Sequence, residues 1–212
     1  MIGSLLYLTA TRPDIQFAVC LCVRYQASPR ISHRQAVKHI FRYLKFTPKL
    51  GLWYSSSSSL SLRGFSDADH AGCRIDRNVA LSTTEAEYVA AASCCSQLLW
   101  MKATLSDFGL RFRKIPLLVD LTSAISVAKN PVLHSRTKHI GVRFHFLRDH
   151  YEKGDIDLVH VIFANQLADI FTRPLEFDAF TRLRGYRLKV LTMHSSRGEI
   201  ESQWTGLIAL LV

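Results

Sequence analysis

Leu60-Ser61-Leu62-Arg63-Gly64-Phe65-Ser66-Asp67-Ala68-Asp69 sets Leu60, Leu62 and Gly64 in alternation with Ser61, Arg63 and Phe65 before an acidic pair arrives. A period of two is the pattern of a strand, so Asp67 stands at a strand terminus. Taken alone, such a carboxylate is a turn former or a helix cap. Three further acids downstream, each near the end of an element, turn attention to chemistry.

Ser82-Thr83-Thr84-Glu85 is a capping box at the head of a long helix. Ala86, Val89, Ala90, Cys94, Leu98, Met101 and Leu105 trace its expected buried stripe, and Gly109 closes it. Glu85 is explained by the box, whereas Glu87 is not. Ile115 to Val119 is a brief apolar run ending in Asp120, followed by a short helix over Thr122 to Lys129 that Asn130-Pro131 stops. Ser135 begins another helix, with Ile140, Phe144, Leu147 and Tyr151 on one stripe, Arg136, Lys138, Arg143 and Arg148 elsewhere, and Gly154 at its end. Ile156 to Ile162 is the last strand, and Asn165 caps a short helix that holds Asp169 and halts at Pro174.

Upstream, Thr11-Arg12-Pro13-Asp14 offers a capping hydroxyl and a first-turn proline to a helix running through Val23. A second helix is expected to open at a Ser32–Gln35 capping box, with Val37, Ile40, Phe41 and Leu44 buried. Its other face carries His33, Arg34, Lys38, His39, Arg42 and Lys45, a basic stripe suited to solvent or to phosphates. Pro48 ends it, Leu50 to Tyr54 can form a strand, and five serines over Ser55 to Ser59 read as a linker.

With 212 residues, 48% of them apolar, the chain can bury a real core, and its formal charge of +10 favours a polyanionic partner, nucleic acid ahead of membrane. Five cysteines without a C-x-x-C pair argue against a disulfide framework and a zinc knuckle. No run approaches the roughly 18 apolar residues of a membrane span, and Met1 to Ala10 has no basic region ahead of its apolar residues. An intracellular setting, cytoplasmic or nuclear, without secretion or membrane attachment, is expected.

Strands alternating with helices imply a parallel α/β sheet, whose functional groups collect at the carboxyl ends of the strands. Asp67 and Asp120 stand there, and Glu87 and Asp169, in the opening turns of helices, can reach the same rim. Four converging carboxylates repel one another unless cations intervene, and an all-oxygen donor set suits magnesium or manganese. Two such ions would activate a water and stabilise the leaving oxygen in phosphodiester cleavage.

The segments FSDADHAGC, ALSTTEAEYVAAA, VDLTSAISVAKNP, HSRTKHIGVRFHFLRD and NQLADIFTRPL resemble the successive blocks of the ribonuclease H domain in copia-type retrotransposon polyproteins. MIGSLLYLTATRPDIQFAV and AVKHIFRYLKFTPKLGLWY are similar to the reverse transcriptase thumb and connection region that precedes it. The resemblance implies a ribonuclease H-like α/β sheet with flanking helices, preceded by a small helical segment. The implied organisation is a thumb-like segment over 1–54, a linker over 55–59, the ribonuclease H-like domain over 60–175 and a poorly matched tail over 176–212. It places the metal-binding and catalytic acids on Asp67, Glu87, Asp120 and Asp169, and it chooses Glu87 over Glu85. His134, Arg136, Lys138 and His139 match a block that faces phosphates or caps a helix. Two Mg2+ or Mn2+ ions and an RNA–DNA hybrid are the implied cofactor and partner, with no small-molecule cofactor. No segment resembles the paired-aspartate polymerase motif.

Two departures stand out. Between Asn78 and Val79 the family carries two more antiparallel strands, a gap of roughly 25 residues. A truncated, three-stranded parallel sheet is expected, with the strand before Asp67 as an exposed edge. Leu121 follows Asp120 where the family places a polar residue. A catalytically inactive nucleic-acid-binding remnant and a helical interaction module therefore stand as alternatives to the nuclease.

Overall fold

The computed structural model describes residues 1–52, 61–68, 82–130 and 145–186, together with the backbone of 188–190 and 207–211. The serine run 55–59, Asp69, the junction at Asn78 and Val79, the helix start at Ser135 and the block holding His134, Arg136, Lys138 and His139 lie outside the described residues. In chain order the elements are α1 (Ile2–Leu8), α2 (Gln16–Val23), α3 (Ile31–Phe46), β1 (Leu50–Leu52), β2 (Ser61–Ser66) and α4 (Thr83–Asp107). There follow β3 (Ile115–Val119), α5 (Thr122–Lys129), α6 (Phe146–Glu152), β4 (Ile156–His160), α7 (Asp169–Thr172), α8 (Phe177–Gly185), β5 (Leu188–Val190) and β6 (Leu207–Leu211). They divide into two compact units: Met1–Ser57 with Arg173–Trp204, and Ser58–Thr172 with Thr205–Val212.

In the first unit Leu5, Ile15, Val19, Cys22, Val37 and Ile40 form the core between α1, α2 and α3. The Thr11 hydroxyl does not cap α2; it donates back to the Leu8 carbonyl, and a 3-10 turn over Pro13–Ile15 leads into the helix. The reason is Arg12. Its guanidinium grips both oxygens of Asp14 at 3.0 and 2.8 Å and donates to the Thr47 carbonyl and hydroxyl, tying this turn to the end of α3. Tyr43 adds a 2.6 Å bond to Asp14 and receives one from Arg184 of α8, and β1 pairs antiparallel with β5. α3 starts one residue before Ser32, with the His33 ring accepting the Arg30 N–H, so the Ser32–Gln35 box is not the device used. Phe41 is 45% exposed, not buried, and shares the outer face with Arg34, Lys38, His39, Arg42 and Lys45.

The second unit is mixed α/β. Its sheet is parallel throughout, in the order β4-β3-β2-β6. The expectation that β2 is an exposed edge is corrected here: β6 pairs with it from Ser61↔Leu207 to Phe65↔Leu211. No local pattern announces a partner so remote in sequence.

Ser82 caps α4, accepting the Glu85 N–H at 3.2 Å, and Gly109, at φ +79°, closes the helix. Its buried residues are Glu87, Tyr88, Ala91, Ala92, Cys94, Cys95 and Leu98, whereas Ala86, Val89, Ala90, Met101 and Leu105 of the expected stripe are only half-buried. The buried surface is wide because α4 packs against β2 and β3 and also against α5 and α6. Gly64 permits the close approach to β2: a Cβ there would lie 2.6 Å from Leu98 Cδ1.

Arg148, expected away from the apolar stripe, is buried instead. It donates to the Ala128, Val127 and Asn130 carbonyls and so caps the C-terminus of α5. Asn165 does not cap a helix but ends a 3-10 turn, Phe163–Asn165, and α7 begins at Asp169. Among the described residues no helix is long and apolar enough to cross a membrane.

Candidate metal centre

The parallel register assembles the site. Ser66 pairs with Val119, so the residues that follow, Asp67 and Asp120, leave adjacent strands at the same carboxyl edge. Glu87 arrives from the second turn of α4, on its buried face. The Thr84 and Ser123 hydroxyls, 2.9 Å apart, join the beginnings of α4 and α5 beside these acids.

One carboxylate oxygen from each of Asp67, Glu87 and Asp120 lies within 4.8 Å of the other two. Asp67 is 5% and Glu87 7% exposed, while Asp120 is half-buried. At that spacing each pair of charges repels by about 3 kcal/mol at an effective dielectric near 20. A divalent cation would remove that cost, and the all-oxygen donors fit a hard ion. The triad can hold a metal.

Asp169 is buried at the start of α7 and is not a member of the triad. Its neighbours nevertheless reach the site. Gln166 Nε2 donates to the Ser66 carbonyl at 2.8 Å, and the Thr172 hydroxyl donates to Asp67 Oδ2. Glu87 Oε1 accepts the Ala68 N–H at 2.8 Å, and a His160 ring nitrogen lies 3.0 Å from the Asp120 carbonyl. Sequence reasoning missed Gln166, Thr172 and His160, because each acts on a partner remote in the chain. The one signal for the first two is that both flank Asp169 inside the NQLADIFTRPL block.

Burial pushes the Cys94 thiol up to about 12, with Cys95 beside it adding to the effect, and burial with the nearby Asp155 charge does the same to Cys95. Both are protonated at neutral pH and serve as packing groups beneath the sheet. Thiolate chemistry has no place at these two positions.

No family model matches the chain, and no solved structure matches it. Among curated proteins it is 37% identical to the retrovirus-related Pol polyprotein from transposon RE1 of Arabidopsis thaliana and 36% to that from transposon RE2 of the same plant. Both matches cover 85% of the chain. The retrovirus-related Pol polyprotein from transposon TNT 1-94 of Nicotiana tabacum is 32% identical over 92% of the chain. The chain spans 14 to 16% of the length of these relatives. With identity at this level running through nearly all of its length, the chain belongs to the retrovirus-related Pol polyproteins of copia-type transposons and corresponds to a piece of one.

Proposed function

We propose that the sheet-bearing unit is a ribonuclease H-like domain that hydrolyses the RNA strand of an RNA–DNA hybrid with divalent metal ions. The observation that carries this is the convergence of Asp67, Glu87 and Asp120 at the carboxyl edge of two neighbouring parallel strands. Membership of a Pol polyprotein family and the net charge of +10 support a nucleic-acid substrate. Magnesium or manganese, when bound, would supply Lewis-acid stabilisation of the phosphoryl oxygens and a water acidic enough to attack.

The chain's own residues do the rest. Asp67 and Asp120, held at strand ends, and Glu87, held on a packed helix, would fix the first ion. Asp169 is the remaining acid for a second. His134, Arg136, Lys138 and His139 would contact backbone phosphates and position the hybrid without reading its sequence. A catalytically inactive nucleic-acid-binding form is the second reading, favoured by the position of Asp169 outside the triad.

A labelled hybrid incubated with the purified chain and Mg2+ separates the two. Cleavage that a chelator stops and that Glu87→Gln removes supports the nuclease. Salt-sensitive binding without cleavage supports the inactive form. Cleavage by the Glu87→Gln protein at the unmodified rate would sink the proposed site.

A further inference from the structure

The segment leading into α7 and the end of α7 itself touch two consecutive residues at the end of β2. Gln166, 0% exposed, holds the Ser66 main chain, and Thr172 holds the Asp67 side chain. Ser66 is the last residue of the strand and Asp67 the first beyond it. The partners lie 100 and 105 positions away in sequence, so the contacts exist only in the folded unit.

The terminal torsion of an aspartate is broad and nearly two-fold, so a carboxylate at a strand end swings unless something holds it. A hydroxyl donor on Oδ2 fixes that torsion and draws charge toward itself. The buried Gln166 amide, whose own oxygen receives the Ala168 N–H at 3.4 Å, keeps the backbone beneath it from shifting.

We propose that Thr172, supported by Gln166, is a positioning residue that fixes the orientation in which the Asp67 carboxylate meets a divalent ion shared with Glu87 and Asp120. The inference rests on the metal-binding reading above and adds to it the group that sets the geometry of its central ligand. One oxygen from each of three acids leaves about half of an octahedral shell for water and phosphate oxygens. In this account NQLADIFT is a clamp on Asp67 as well as the carrier of Asp169.

Manganese(II) binding to the full chain, measured by titration calorimetry, tests this with Thr172→Val, Thr172→Ala and Thr172→Ser. Loss of an outer partner to a metal ligand typically weakens binding about tenfold to a hundredfold, which is the loss expected for valine and alanine, while serine stays within about threefold of the unmodified chain. Rescue by serine separates a hydroxyl role from mere packing. Should the valine variant fail to fold, the alanine and serine pair decides by the same comparison. Equal affinity in the unmodified chain and the hydroxyl-free variants, or serine as weak as alanine, overturns the proposal while leaving the triad as a metal site. An unmodified chain that takes up no manganese overturns both.

Discussion

Asp67, Glu87 and Asp120 are close enough that the metal-free protein stores repulsion among them. Glu87→Gln keeps an acceptor for the Ala68 N–H but removes one charge, so it should stabilise the metal-free chain by about 1–3 kcal/mol. The same variant should lose the stabilisation that added Mn2+ gives the unmodified protein. Urea unfolding with and without Mn2+ checks both signs. Arg148 works in the opposite sense. Removing it by Arg148→Ala leaves the carbonyls at the end of α5 without their donor inside the unit, at a cost of about 2–3 kcal/mol in urea unfolding. At this scale the sequence made the acids legible, since Asp67 follows an alternating run, Glu87 a capping box and Asp120 an apolar run. It hid Arg148, Gln166 and Thr172, whose partners lie between 18 and 105 positions away and leave no periodic trace.

Among the elements, α4 shows why helix faces were harder to read than helix ends. Ser82 and Gly109 act through neighbours in the chain, so both ends were visible. The buried surface depends on what packs around the helix, and a helix covered by a sheet on one side and by α5 and α6 on another has no single stripe. β3 and α5, by contrast, carry the bounds read from the sequence, because apolar run, acid and Asn-Pro stop are all local. Gly64→Ala drives a methyl into Leu98 and should destabilise the unit by about 1–3 kcal/mol, visible as a lowered unfolding temperature. A second device joins α4, α6 and the start of β4: Asp155 accepts from His150 at 2.8 Å and Lys102 at 3.0 Å. The His150 hydrogen bond, then that of Lys102, holds the Asp155 carboxyl below its usual range. A carboxyl depressed in the folded state contributes stability that is complete above the ordinary carboxylate range and disappears as pH falls through it to the depressed value. Asp155→Asn should therefore flatten the acid limb of the stability profile below about pH 5 without moving the neutral plateau's slope.

At the scale of the whole molecule, the chain leaves and re-enters each unit. Residues from Arg173 onward return to the helical unit, and Thr205–Val212 returns to the sheet. The tail that matched its family least thus supplies α8, β5 and β6. β6 covers one edge of β2, where the sequence led to an expectation of unpaired backbone. A chain ending at Thr205 should expose that edge and self-associate, measured as a rise in light-scattering mass at concentrations where the full chain stays unassociated. Pairings of this range were illegible because a strand's own pattern says which face is buried, not which strand lies beside it. The central claim is that the acids gathered at the carboxyl edge of the sheet make a metal-dependent hybrid ribonuclease. Its most direct test is single-turnover cleavage of the RNA strand of a labelled RNA–DNA hybrid with Mg2+, comparing the unmodified chain with Asp67→Asn. The account predicts cutting by the former and a loss of at least about a hundredfold in the latter, since several kcal/mol of metal stabilisation disappear; an unmodified chain that binds the metal and the hybrid yet leaves the RNA intact would contradict it.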